Sequence, residues 1–152
     1  MDAMHTFKVF ADYNQFFLLD DAVQPAYPEI IPQSAIDQRF QIAPNLVAVY
    51  TALATDVSVS VSISESEPKL NLEAWSHIVR CPISAPSGRL ALAGCTDYLP
   101  DCPRIEVPAG NCGLLVCGRG FGESEREEYL LQIWPGIIQS PTVLKNYVVN
   151  HG

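Results

Sequence analysis

Between Asp56 and Ser64 the chain alternates without interruption. Val57, Val59, Val61 and Ile63 occupy one set of positions, and Ser58, Ser60, Ser62 and Ser64 the other. A period of two puts every β-branched side chain on one face of a strand and every hydroxyl on the other. The pattern predicts a strand of an antiparallel sheet with one face on the core and one toward water. Thr6–Leu19 is apolar on both faces: Phe7, Val9, Ala11 and Tyr13 fall on one, Phe10, Phe16 and Leu18 on the other. That predicts a largely covered strand, with a bend or bulge at Asp12-Tyr13-Asn14. Further strands are predicted over Leu46–Ala52, Ala74–Cys81, Gly88–Ala93, Arg104–Val107, Asn111–Cys117 and Tyr129–Trp134. Asp20–Pro32 and Gly94–Pro103 read as loops, Pro82–Ser87 as a hairpin loop, and Gly118–Glu128 as a flexible charged hairpin loop. From Ser140 onward the chain reads as a helical turn or an edge segment.

One helix is predicted, over Ser34–Ile42. Ser34 supplies a cap, Asp37 follows three residues on, and Ile36 and Phe40 share a face. A helix from Ser124 competes with the strand at Tyr129–Trp134, but it would end directly on Trp134-Pro135-Gly136, so the strand is preferred. Twelve prolines leave no room for several long helices. About seven to nine short strands between turn signals and one short helix describe a mainly β protein. The expected architecture is an antiparallel two-layer β-sandwich, one domain over residues 1–152.

Composition sharpens this picture. Charged residues are 17% of the 152, below the roughly 25% of an average domain, and apolar residues are 48%, so disorder is not expected. No apolar run approaches the ~18 residues of a membrane span. The N-terminal segment lacks the basic and apolar regions of a signal peptide, so a cytoplasmic location is expected. Nine Lys and Arg against seventeen Asp and Glu give a net charge of −8. That balance argues against direct nucleic-acid binding, which relies on cations neutralising phosphates.

The charge is concentrated in predicted loops: Asp20 and Asp21, Glu65 and Glu67, Asp97 and Asp101, and Glu123, Glu125, Glu127 and Glu128. If several of these loops gather, they form an acidic rim that would attract a basic protein and lose force in salt. Asp20, Asp21, Asp97, Asp101, Glu123, Glu125, Glu127 and Glu128 are therefore the candidate partner-binding residues. The alternative role of these acids is solubility. Edge strands and aromatic residues also allow a homodimer.

Catalytic signatures are missing. Gly118, Gly120 and Gly122 imitate a phosphate loop, but Glu123 stands where the dinucleotide fingerprint needs glycine, and no Gly-Lys-Ser/Thr follows. No Gly-x-Ser-x-Gly elbow occurs. The five cysteines, at 81, 95, 102, 112 and 117, include no C-x-x-C pair, and the three histidines do not complete a zinc pattern. Free, partly buried thiols are expected, and no cofactor or metal. A cysteine paired with His77, a metal-dependent enzyme, and a small-ligand pocket lined by Tyr13, Tyr98 and Trp134 are the alternatives to a binding protein.

The stretch Ala11–Asp20, with Tyr13-Asn14-Gln15-Phe16-Phe17 at its heart, is followed by a helix and the serine-rich strand. With the Ile105–Gly110 turn, it resembles the small bacterial competence protein J family. The chain also resembles short bacterial proteins that share Asp-Tyr-x-Gln-Phe, Ser66-Glu67-Pro68, Gly94-Cys95-Thr96-Asp97-Tyr98 and Gln132-Ile133-Trp134-Pro135-Gly136. It departs from the family in its cysteine-rich middle and its Gly/Glu hairpin tip. The resemblance implies a non-enzymatic inhibitor of a basic nuclease, or an immunity-type partner of a basic toxin.

Overall fold

The computed structural model describes residues 3–24, 27–123 and 126–147. The serine-alternating segment forms β5 (Asp56–Ile63), with Val57, Val59 and Val61 buried. The first apolar segment becomes two strands, β1 (Ala3–Phe10) and β2 (Gln15–Asp20). The expected bend between them is a 3-10 turn at Asp12–Asn14, where Tyr13 and Asn14 take φ of 56° and 60°. That left-handed pair reverses the chain and carries it from one sheet into the other.

The remaining elements are α1 (Gln33–Gln38), β3 (Phe40–Ala43), β4 (Leu46–Tyr50), β6 (His77–Ala85), β7 (Arg89–Gly94), β8 (Arg104–Glu106), β9 (Gly110–Arg119), β10 (Glu128–Pro135) and β11 (Thr142–Lys145). One sheet has the order β1-β5-β10-β9-β6-β11, the other β3-β4-β2-β7-β8. The two-layer sandwich is as expected, but the described residues form eleven strands rather than seven to nine, because the first apolar segment divides in two and Phe40–Ala43 and Thr142–Lys145 add edge strands. Phe16, Leu18, Val47, Val49, Leu90 and Leu92 meet Val59, Val61, Leu114, Leu131 and Ile133 in the core between the sheets. A second apolar cluster, with Phe17, Leu19 and Tyr50, covers the outer face of β2. Strand β2 is thus buried on both faces, as its two-sided apolar pattern requires.

Four local expectations are corrected. The helix ends at Gln38, because Arg39 turns left-handed with φ 64° and Phe40 enters the core as the first residue of β3. Ser34 lies inside α1, whose cap position is Pro32, with no side-chain capping bond. Strand β6 runs through Pro82 to Ala85, since Pro82 lies beyond the segment paired with β11 and costs no bond on that side. It does not form a hairpin with β7, which belongs to the other sheet. Finally, β5 pairs antiparallel with β1 but parallel with β10.

The Tyr129–Trp134 segment is a strand, and its hairpin with β9 carries the Gly/Glu tip. The tail contributes the edge strand β11. No helix among the described residues is long and apolar enough to cross a membrane.

Candidate functional site

The loop acids separate into two groups. Asp20 closes β2 and is only 1% exposed. Its Oδ1 accepts from Ala22 N–H (2.9 Å), and its Oδ2 accepts from Ser87 N–H (3.0 Å) and Ser87 Oγ (2.9 Å). It ties the end of β2 to the turn between β6 and β7. Asp21 pairs with Arg104 at 2.6 Å and approaches Arg89 at 4.0 Å.

At the opposite end of β2, Glu127 is 2% exposed. Its carboxylate accepts from Ala52 N–H (2.8 Å), Leu53 N–H (3.1 Å) and the Tyr129 hydroxyl. Glu128 is ion-paired with Arg119. Asp97, Asp101 and Glu123 are exposed. Asp97 accepts from Gly94 N–H at 2.8 Å, and Asp12 beside it accepts from Thr96 Oγ1 at 3.0 Å. Glu125 lies outside the described residues. The length of β2, about 16 Å at 3.3 Å per residue, separates Asp20 and Asp21 from Glu127. The acids therefore do not gather in one rim, and two of them are buried acceptors for main-chain donors.

What gathers at the Asn14 end is a cleft of about 910 Å³. The Tyr13-Asn14 turn forms one wall, Ile31, Ile36 and Arg39 another, and Tyr50 and Tyr147 contribute rings. Asn14 Nδ2 donates to Ala52 O (3.1 Å), and the Tyr50 hydroxyl donates to Gln41 Oε1 (2.7 Å), so both side chains are held in place.

Arg39 is the cleft's half-buried cation. Its guanidinium carbon lies 4.4 Å from the Phe121 ring centre and 5.3 Å from that of Tyr147. Arg80, Arg89, Arg104 and Arg119 each have a carboxylate partner. Arg39 has none among the described residues. The two rings lie 4.8 Å from each other, so the cation rests against the Phe121–Tyr147 pair and keeps its N–H edge for an incoming carboxylate or carbonyl.

His77 sits behind these rings, 3% exposed. Its Nε2 donates to Gln38 O (2.7 Å) and its Nδ1 accepts from Tyr147 N–H (3.0 Å). Both contacts together require the neutral ring with hydrogen on Nε2. Burial lowers its proton affinity; the Gln38 bond opposes that shift, and Arg39 adds to it. With both nitrogens engaged by main chain, His77 does not serve a cysteine as base.

Burial raises all five thiols, with Cys81 and Cys117 pushed up to about 12. Protonated thiols are poor nucleophiles. Among the described residues no three His, Cys, Asp or Glu cluster as a metal site would. Of the aromatics expected to line a pocket, Tyr13 lies on the cleft, Tyr98 is exposed in its own loop, and Trp134 is buried over Gly113.

Arg39 has no signature in the sequence: it precedes Phe40 without charge clustering, and its ring partners come from the β9–β10 tip and the C-terminal segment.

No family model and no curated protein matches the chain. Solved structures do. The crystal structure of ComJ from Bacillus subtilis, an inhibitor of the DNA-degrading activity of NucA, superposes with a TM-score of 0.72 at 12% identity. That match covers 90% of this chain and 99% of that one. The product described as crocagin biosynthetic gene J matches with a TM-score of 0.67 at 17% identity, again over 90% and 99% of the two chains. At these identities the likeness establishes the fold alone: a β-sandwich similar to that of ComJ over 90% of this chain.

Proposed function

We propose that this protein is a non-enzymatic binding protein that inhibits a basic nuclease, or serves as the immunity-type partner of a basic toxin, in a reducing cytoplasm. The observation that carries the reading is the fold likeness to ComJ over 90% of this chain. Its free thiols and engaged histidine fit a binding role better than a catalytic one. The exposed acids Asp97, Asp101 and Glu123 steer the partner, while Asp21 and Glu128 are offset by Arg104 and Arg119. The cleft supplies the contact. Tyr and Arg are enriched in interaction hot spots, and Ile31 and Ile36 add apolar surface beside them.

The test is a DNA-degradation assay with purified protein titrated into NucA and into any nuclease encoded beside its own gene. The expected result is stoichiometric loss of degradation by the cognate nuclease and a complex that co-elutes on size exclusion. If neither nuclease is slowed by excess protein and no complex forms, the reading fails. The cleft volume also lies in the range of small-ligand sites, about 300–1,000 Å³. Small-ligand binding is therefore the second reading. It requires a compound that raises the melting temperature in wild type and has no effect in Arg39→Ala.

A further inference from the structure

Of the four sheet edges, three are blunted and one is open. Strand β8 has three residues between Pro103 and Pro108. Strand β11 has four, follows Pro141 and shifts register between Val143 and Lys145. Strand β3 has four, beside α1. Strand β1 has eight, Ala-Met-His-Thr-Phe-Lys-Val-Phe, with no proline and one charge, and keeps an unbroken register with β5. Proteins ordinarily protect long edges with charge, proline or a bulge, because an open edge templates another strand.

Hydrogen bonds at the ends of the ladder show which groups of β1 are free. Ala11 N–H donates to Thr55 O (2.9 Å) in the same register as β1 and β5. Ser58 and Ser64 N–H donate the other way, to Glu127 O (3.3 Å) and Ile133 O (2.9 Å) at the β10 side. So β5 turns its odd-numbered residues to β1, and β1 turns His5, Phe7 and Val9 to β5. The N–H and C=O groups of Met4, Thr6 and Lys8 then point to the open edge. Among the described residues, no main-chain or side-chain group bonds them. The Phe10 carbonyl is excluded from the edge, since it packs on Gly94 of the other sheet.

We propose that β1 pairs antiparallel with β1 of a second copy of this chain, about a two-fold axis at Thr6, joining two six-stranded sheets into one. This register is self-complementary. Thr6 faces Thr6, Met4 faces Lys8 of the second copy, and about six main-chain hydrogen bonds form. On the outer face the two threonines make a favourable cross-strand pair, and the Lys8 stem covers Met4, which is 65% exposed in one copy. On the inner face His5 meets Phe7 of the second copy. Lys8 is kept roughly 13 Å from its symmetry mate, beyond a Debye length at physiological salt. A two-fold at Lys8 would instead place the two ammonium groups opposite each other.

The net charge of −8 opposes association of two copies, so added salt strengthens this dimer. That sign is opposite to the one expected for capture of a basic partner, and the inference does not rest on the proposed inhibition.

Sedimentation equilibrium of the full chain across concentration and salt reads it. The expected result is a species of twice the 16.7 kDa chain mass whose fraction rises with salt. Thr6→Lys places like charges on the axis and raises the dimer dissociation constant at least about tenfold. Thr6→Pro removes an N–H that makes no bond within the chain, and does the same. Circular dichroism confirms folding, and Thr6→Lys carries the test should Thr6→Pro not fold.

In a Cys95→Ser background, Thr6→Cys cross-links two copies when oxidised glutathione is supplied. The paired Cα atoms lie about 5.5 Å apart, within disulfide span. The glutathione disulfide is reduced to two thiols as the cysteine pair is oxidised. A monomer at every concentration, a dimer indifferent to both Thr6 variants, or a dimer in which Thr6→Cys does not cross-link overturns the proposal.

Discussion

His77 couples proton binding to the docking of the C-terminal segment. Its Nδ1 accepts from Tyr147 N–H, and a proton added there would set two donors against each other. Its folded proton affinity is lowered by burial. The unfolded chain therefore binds the proton more readily, and stability rises with pH across the window. The contribution is complete above the ordinary histidine value of 6.5 and is lost as pH falls below it. Urea midpoints measured from about pH 7.5 to about pH 5 should fall in wild type, and His77→Gln should remove part of that slope while lowering the whole curve. An equal slope in both proteins would assign the acid limb to carboxylates elsewhere.

Glu127 is the second decisive side chain, since one carboxylate serves Ala52, Leu53 and Tyr129. Glu127→Ala leaves two main-chain donors and a buried hydroxyl without an acceptor. The expected loss is about 3 kcal/mol in urea denaturation, with Glu127→Gln intermediate because one acceptor oxygen survives.

At the scale of elements, the two central hairpin strands depend on a missing side chain. A Cβ on Gly113 of β9 would stand 2.3 Å from the Trp134 ring of β10. Gly113→Ala must displace the indole, at a cost of about 1–3 kcal/mol, and the tryptophan emission should shift to longer wavelength as the ring meets water. An unshifted spectrum would mean that the backbone yields instead.

The Val/Ser alternation of β5 was readable because a period of two determines faces. It says nothing about neighbours, so the parallel partner β10 was not legible. The helix over Ser34–Ile42 was overextended because Ile36 and Phe40 have helical spacing. In the fold Ile36 is 44% exposed and Phe40 is 5% exposed in β3, since the core offers the larger ring a place that a third turn would deny it. Acids in loops were legible as charge but not as roles. Asp20 and Glu127 look like Asp97 and Glu123 in sequence, and only the main-chain donors brought to them by tertiary folding set them apart. Arg39 escaped for the same reason, as Phe121 and Tyr147 reach it from distant segments.

At the scale of the whole molecule, charge and cleft should separate in kinetics. Steering depends on exposed carboxylates, so the set to change is Asp97, Asp101 and Glu123, not the buried Asp20 and Glu127. Converting those three to their amides should slow association with a basic nuclease roughly tenfold at low ionic strength. It should flatten the salt dependence of the on-rate and leave dissociation nearly unchanged. Arg39→Ala should do the reverse: its cation is short-ranged and packed against the Phe121–Tyr147 ring pair, so its loss shortens the lifetime of the complex without altering the salt slope. Surface plasmon resonance at several ionic strengths resolves the two effects. If the amide variants speed dissociation and leave association alone, the acids are contact groups. If Arg39→Ala changes neither rate, the partner docks away from the cleft. On the two proposals taken together, salt should act in opposed directions, weakening capture of a basic partner while relieving the repulsion between two copies joined at β1. The ionic strength that favours the dimer is therefore the one that slows the encounter with a nuclease.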